Sequence, residues 1–153
     1  MNLPKHLALL LIASLSLVGC ASGPSFADYA AKQKPPAPGQ GRVWFYRPSK
    51  MLGVAVQPTV FLDEVKVGKA QPGCFFLADR NAGSHEAKCT TEWSHKRAFT
   101  LAAREEKFIR LAMLPGLFVG HVVPQEVDRA TGLKEIAGCK LITADGANAE
   151  LRR

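Results

Sequence analysis

The chain has 153 residues, 47% of them hydrophobic, and a formal net charge of +7. That length holds one domain with a core of useful size. The basic balance suits an anionic membrane surface or another polyanion, but no basic run is interleaved with aromatic residues and no nucleic-acid motif is present, so no nucleic-acid partner is expected.

The N-terminus reads as an export signal. Lys5 and His6 form a short basic region, and Leu7 to Val18 is an uninterrupted run of apolar or small residues. The run is too short to span a bilayer as a permanent helix. It ends in Leu17-Val18-Gly19-Cys20, which resembles the bacterial lipobox. There the cysteine thiol takes diacylglycerol, the chain is cut just before it, and the new N-terminus is acylated. Gly19 supplies the small residue that cleavage needs. Residues 1–19 are therefore expected to be a lipoprotein signal peptide, with lipidation at Cys20. One acyl chain anchors marginally and two anchor stably, so a triacylated Cys20 would be held at the membrane essentially permanently. Ala21 follows the cysteine in place of an Asp, which by resemblance to Gram-negative sorting signals points to the periplasmic side of the outer membrane.

Residues 20–41 contain ASGPSFADYAAKQKPPAPGQG after the cysteine, with little periodicity. Pro35, Pro36 and Pro38 favour extended polyproline geometry, so the segment reads as a tether with a reach of roughly 60 Å. Residues 42–142 read as β structure and residues 143–153 as a flexible tail. RVWFYR (Arg42 to Arg47) is aromatic and β-branched, and Pro48 ends it. PTVFLD and VKVGKA form an expected hairpin turning at Asp63-Glu64, although Glu64 suits poorly a tight turn that needs φ > 0. GCFFLAD and SHEAKCTTE flank RNAG and read as a second hairpin, centred between Asn81 and Ala82. RAFTLAA and KFIRLAML follow, separated by REE, and then the apolar GLFVGHVVP. PQEVDRATGLKEIAGC carries a weak helical pattern that Gly132 would interrupt, and KLI is expected to be a last strand. Short strands separated by turn signals every 8 to 12 residues predict an all-β fold. We expect a small β-sandwich of seven to eight antiparallel strands with a short C-terminal helical segment.

Beyond Cys20, the cysteines are Cys74, Cys89 and Cys139. An oxidising compartment favours a disulfide and leaves one thiol over. The second hairpin sets Cys74 opposite Cys89, which makes that pair the expected bridge, with Cys89–Cys139 as the alternative. A one-residue slip in register would move one cysteine to the other face. His85, Cys89 and His95 could ligate zinc, but their spacing matches no zinc motif, so no metal is expected. His121 reads as a core or rim histidine. No nucleophile elbow, metalloprotease helix, phosphate loop or carboxylate pair is present, and neither an enzyme nor a cofactor is expected. Two apolar loops remain, MLGVAV with Met51, Leu52 and Val54, and GLFVG with Leu117 and Phe118. Either they pack against each other or under the sheet, or they form an exposed patch that touches a membrane or a partner.

Residues 40 to 142 as a whole resemble a bacterial lipoprotein family that carries domain of unknown function 2846. The resemblance lies in GRVWFYRP, in FLDEVKVG, in PGCFFLADRNAG, in CTTE, and in the later FTLAAREEKFIRLAMLPGLFVGHVVPQEV. The chain departs from the family at three places: Glu64 stands where a Gly is usual, Cys74 replaces one of its glycines, and Asn81-Ala82-Gly83 replaces a Pro-Gly turn. The spacing of V-x-x-D-x-x-x-V-G and a later G-x-H is also similar to the PEGA-type module, a small β-sandwich of bacterial envelope proteins. The resemblance implies a fold and a compartment and carries no activity. The expected function is thus a non-enzymatic binding or structural module of the envelope, held by its lipid and meeting an envelope protein. The alternatives are an envelope binder of a polyanionic glycan, glycolipid or metal, and an uncharacterised enzyme.

Overall fold

The computed structural model describes residues 23–50, 53–116 and 120–142. The signal segment, Cys20 and the C-terminal tail lie outside the described residues. In chain order the elements are α1 (Phe26–Ala30), β1 (Gln40–Arg47), β2 (Thr59–Leu62), β3 (Val65–Lys69), β4 (Cys74–Asn81) and β5 (Gly83–Thr90). They continue with β6 (Ser94–Leu101), β7 (Glu106–Leu114), β8 (His121–Val127), α2 (Arg129–Ile136) and β9 (Lys140–Leu141). Two sheets form, with strand orders β8-β7-β1-β4-β9 and β3-β2-β5-β6. This is the expected sandwich with one strand more than the expected range. Two of its pairings are parallel, β1 with β7 and β4 with β9.

The sequence of β1 explains the layering. A strand covered on both faces reads as a continuous apolar run, and Val43 to Tyr46 is such a run. Val43 and Phe45 enter the core between the sheets with Val60, Leu62, Phe76, Leu101 and Ile109. Trp44 and Tyr46 point the other way, into a second apolar layer with Phe26, Phe75, Phe108 and Ile136. Helices α1 and α2 cover that outer face. Phe26 meets Trp44 edge-on at 5.1 Å and Phe75 at 5.5 Å, the arrangement that aromatic quadrupoles favour.

This layer revises the tether. Residues 23–39 are rich in Ala and Pro, yet Phe26 is only 8% exposed and Arg42 donates to the Lys34 carbonyl at 3.0 Å. Ser25 caps α1 by accepting from Asp28 N, and it bridges to Lys140 at the sheet edge. Composition masked the segment because two aromatic anchors, Phe26 and Tyr29, are enough to seat it. Gly132 also differs from expectation. It lies inside α2, where a Cβ would fall 2.4 Å from Phe108 Cγ, so the glycine permits close packing of helix on sheet. Asp128 caps the helix by accepting from Thr131 N at 2.9 Å.

The β2–β3 hairpin forms as read, with Asp63 at φ 52° and Glu64 at φ 64°. Both turn residues are left-handed, as a tight primed turn demands, even though neither is glycine. Asp63 holds the turn against β5 by accepting from Glu86 N at 3.0 Å and contacting His85 Nδ1 at 2.7 Å.

The second expected hairpin does not form. β4 pairs with β1 and β9, whereas β5 pairs with β2 and β6, so Ala82 carries the chain from one sheet to the other. Cys74 therefore faces Arg47 and Cys89 faces Val60 and His95, in opposite sheets. The expected Cys74–Cys89 disulfide is absent, and Cys74, Cys89 and Cys139 are all free and buried. The alternative bridge is absent too, because Cys89 lies in the inner core and Cys139 in the outer layer. Burial pushes each of these thiols up to about 12, which leaves them protonated and unreactive.

Candidate functional site

The strands place every connection at one of two ends. The end where β1 finishes at Arg47 also holds the β2 start, the β3–β4 and β5–β6 turns, the β7–β8 connection and the start of β9. We call it the loop end. The far end holds the β2–β3 turn at Asp63-Glu64, the β6–β7 turn and the Asp128 cap.

A cleft of about 470 Å³ opens at the loop end, on the helix-covered side of the sandwich, between β1, β7, β8 and α2. Its polar floor is Arg110, Gln125 and Glu135, tied to the buried Tyr46 beneath. Tyr46 Oη donates to Glu135 Oε2 at 2.6 Å, and Arg110 Nη1 donates to Glu135 Oε1 at 2.8 Å. Arg110 Nη2 donates to Gln125 Oε1 at 3.0 Å, while Arg110 Nε is buried without a partner among the described residues. Burial, then the bond to Glu135, pushes the Tyr46 phenol well above its ordinary value, so it serves as a donor and not as a base.

Lys50 adds positive charge to the rim, and Arg47 lines it from β1. Arg47 is 2% exposed and has no carboxylate partner among the described residues. Its guanidinium donates to the carbonyls of Val56 at 2.5 Å, Ala70 at 2.6 Å and Gly53 at 2.8 Å. Burial lowers its pKa from the usual arginine value, but a guanidinium stays charged at any physiological pH. Lys50 and Arg110 thus stand beside one carboxylate, Glu135, while the Arg47 guanidinium turns inward to the backbone carbonyls. Pro48, Ala112, Met113 and Leu114 form the apolar wall. Such a cleft can hold an anionic group beside an apolar portion of the same molecule.

The sequence-derived site residues fare unevenly. Met51, Leu52, Leu117, Phe118 and Cys20 lie outside the described residues. Val54 sits half-buried at the loop end, its carbonyl accepting from Gln57 Nε2 at 3.1 Å. The two apolar loops do converge: a Cβ on Gly53 would fall 2.3 Å from Met113 Cε, and one on Gly120 would fall 2.6 Å from Met113 Sδ. The zinc grouping does not assemble. His85 and Cys89 are four residues apart on one strand, about 13 Å at 3.3 Å per residue. Among the described residues no group of three or more His, Cys, Asp or Glu is placed to hold a metal. Sequence reading missed Arg47, Lys50, Arg110, Gln125 and Glu135. Arg47 carried the one usable signal, a charged residue closing an otherwise apolar strand just before Pro48.

Fold and cleft together define a small two-sheet sandwich with one helix-covered face and a cationic, partly apolar hollow at one end. The chain belongs to the family described as "Protein of unknown function (DUF2846)", which matches residues 37–122. Tyr46, Arg47, Lys50 and Arg110 fall inside that match, whereas Gln125 and Glu135 lie beyond it. An uncharacterized protein of Haemophilus influenzae is 28% identical over 129 residues, covering 81% of this chain and 76% of its own. No solved structure matches the chain.

Proposed function

We propose that the protein is a lipoprotein of the Gram-negative envelope, anchored through Cys20 on the periplasmic side of the outer membrane, and that its domain is a non-enzymatic binding module. Its ligand is an anionic amphiphile taken up in the loop-end cleft. The cleft itself carries this reading: two cations, Lys50 and Arg110, stand against the single carboxylate of Glu135 beside an apolar wall. Of the alternatives, a glycolipid fits this combination better than a purely polar glycan, because Met113 and Leu114 would gain nothing from a sugar chain alone.

Two measurements test the proposal. Mass spectrometry of the native mature protein is expected to find a triacylated N-terminal Cys20; an unprocessed leader or a bare thiol would remove the anchor. Thermal melting of the detergent-solubilised protein is expected to rise with dodecyl phosphate and not with dodecyl maltoside. A Lys50→Glu variant should lose that rise. An equal rise with both detergents, or one that survives the substitution, would overturn the binding site.

A further inference from the structure

The two ends of the sandwich carry opposite charge. The loop end holds exposed Lys50, Lys69 and Lys140 and the buried Arg47 against two carboxylates, Glu92 and the Glu135 of the cleft, which Arg110 pairs. At the far end, Asp63, Glu64, Glu105, Glu106 and Asp128 outnumber Lys34, Arg104 and Arg129. Exposed apolar side chains add to the loop end, where Trp93 is 67% exposed and Leu114 41%. Lysine, an exposed Trp and an exposed Leu on one surface match the interface between headgroups and acyl chains, where an indole is favoured and anionic lipid attracts ammonium groups.

The start of the described chain points to the same end. Gly23 packs against Leu141, and Ser25 bridges to Lys140. Lys140 lies beside Cys74, which in turn pairs with Arg47 at the loop end. Two residues lie between Cys20 and Gly23, and the three chain steps span at most about 11 Å. From Phe75, the partner of Leu141, the strand runs six residues to Asn81 at the far end, about 20 Å. A lipid on Cys20 therefore cannot bring the acidic far end to the bilayer without detaching the chain from the sheet edge.

We infer that the domain does not hang from a long leash but sits flush on the membrane that holds its lipid, with the loop end, Lys50, Lys69, Lys140, Trp93 and Leu114, resting on anionic headgroups. This inference rests on the proposed lipidation of Cys20. It also places the mouth of the cleft at headgroup level.

The test uses the mature lipidated protein reconstituted into vesicles of phosphatidylglycerol and phosphatidylcholine carrying brominated acyl chains. Trp44 is 1% exposed, so a Trp93→Phe variant supplies the background and the difference signal reports Trp93 alone. The difference emission is expected to be blue-shifted and mostly lost to the bromines. A Lys69→Glu/Lys140→Glu variant, which leaves the cleft lining intact, should recover most of it while still floating with the vesicles. A protein that floats but whose Trp93 stays open to aqueous iodide and untouched by bromine overturns the orientation while leaving the anchor in place. A protein that does not float overturns the anchor and the orientation with it. Shielding of Trp93 in native envelopes but not in vesicles also overturns the inference, in favour of a protein partner.

Discussion

Arg42 and Arg47 stand five positions apart on β1, both nearly inaccessible, and they are satisfied in opposite ways. Arg42 grips Asp79 through two bonds, Nε to Oδ1 at 2.7 Å and Nη2 to Oδ2 at 2.8 Å. The bond to Asp79 raises its pKa above the usual arginine value despite burial. Among the described residues the Arg47 guanidinium bonds only carbonyls, tying the 53–56 turn to Ala70 after β3. A carboxylate cancels charge locally, whereas carbonyls solvate a cation without neutralising it. The far end is thereby locked by ion pairs, and the loop end keeps a positive field.

The largest expected effect breaks the Arg47 side of this comparison. Arg47→Met fills the volume but takes the guanidinium from the carbonyls of Val56 and Ala70, and should cost about 4 kcal/mol in urea unfolding. A loss below about 1 kcal/mol would mean that water replaces the guanidinium at no cost. Asp79→Asn should cost less, roughly 2 kcal/mol, because Asp79 is 28% exposed and the orphaned Arg42 can hydrate.

Acid should act on the far end more than on the loop end. The bond from Lys88 holds the Glu64 carboxyl below its ordinary value, and the bond from Thr131 N does the same for Asp128. Burial pushes Glu106 up, but bonds from Arg129 and Trp44 outweigh it and leave it lowered. A carboxylate depressed in the folded state contributes stability that is complete above its unfolded value and is lost as pH falls through the folded one. Hydrogen exchange should therefore speed up at residues 63–64, 104–106 and 128–131 below about pH 4, while the loop end changes little. Equal acceleration at both ends would contradict the asymmetry. The smallest effect is a gain: Glu64→Gly relieves a left-handed glutamate and should stabilise by about 0.5 kcal/mol, less whatever the exposed pair with Lys88 contributes.

Much of the architecture was legible because its signals are local. Arg42 to Arg47 announced a strand by its aromatic and β-branched residues, and Asp63-Glu64 announced a turn between two alternating runs. The β4–β5 reading failed because Asn81-Ala82-Gly83 carries turn residues whether the chain folds back on itself or crosses to another sheet; pairing is decided by partners far away in sequence. The cleft was illegible for the same reason. Tyr46, Arg110, Gln125 and Glu135 come from four different elements, and no spacing connects them. The docked α1 segment was hidden by composition, since its prolines and alanines outnumber the two aromatics that seat it.

The parallel pairings have a kinetic consequence. Arg42 finds its neighbour Glu106, and Cys74 finds Lys140, only after each closes a loop of more than sixty residues. Contacts so distant in sequence make for slow folding, in milliseconds to seconds, which stopped-flow refolding can measure directly. During that interval the most apolar strand of the molecule waits half-paired, one of its edges open to whatever it meets first.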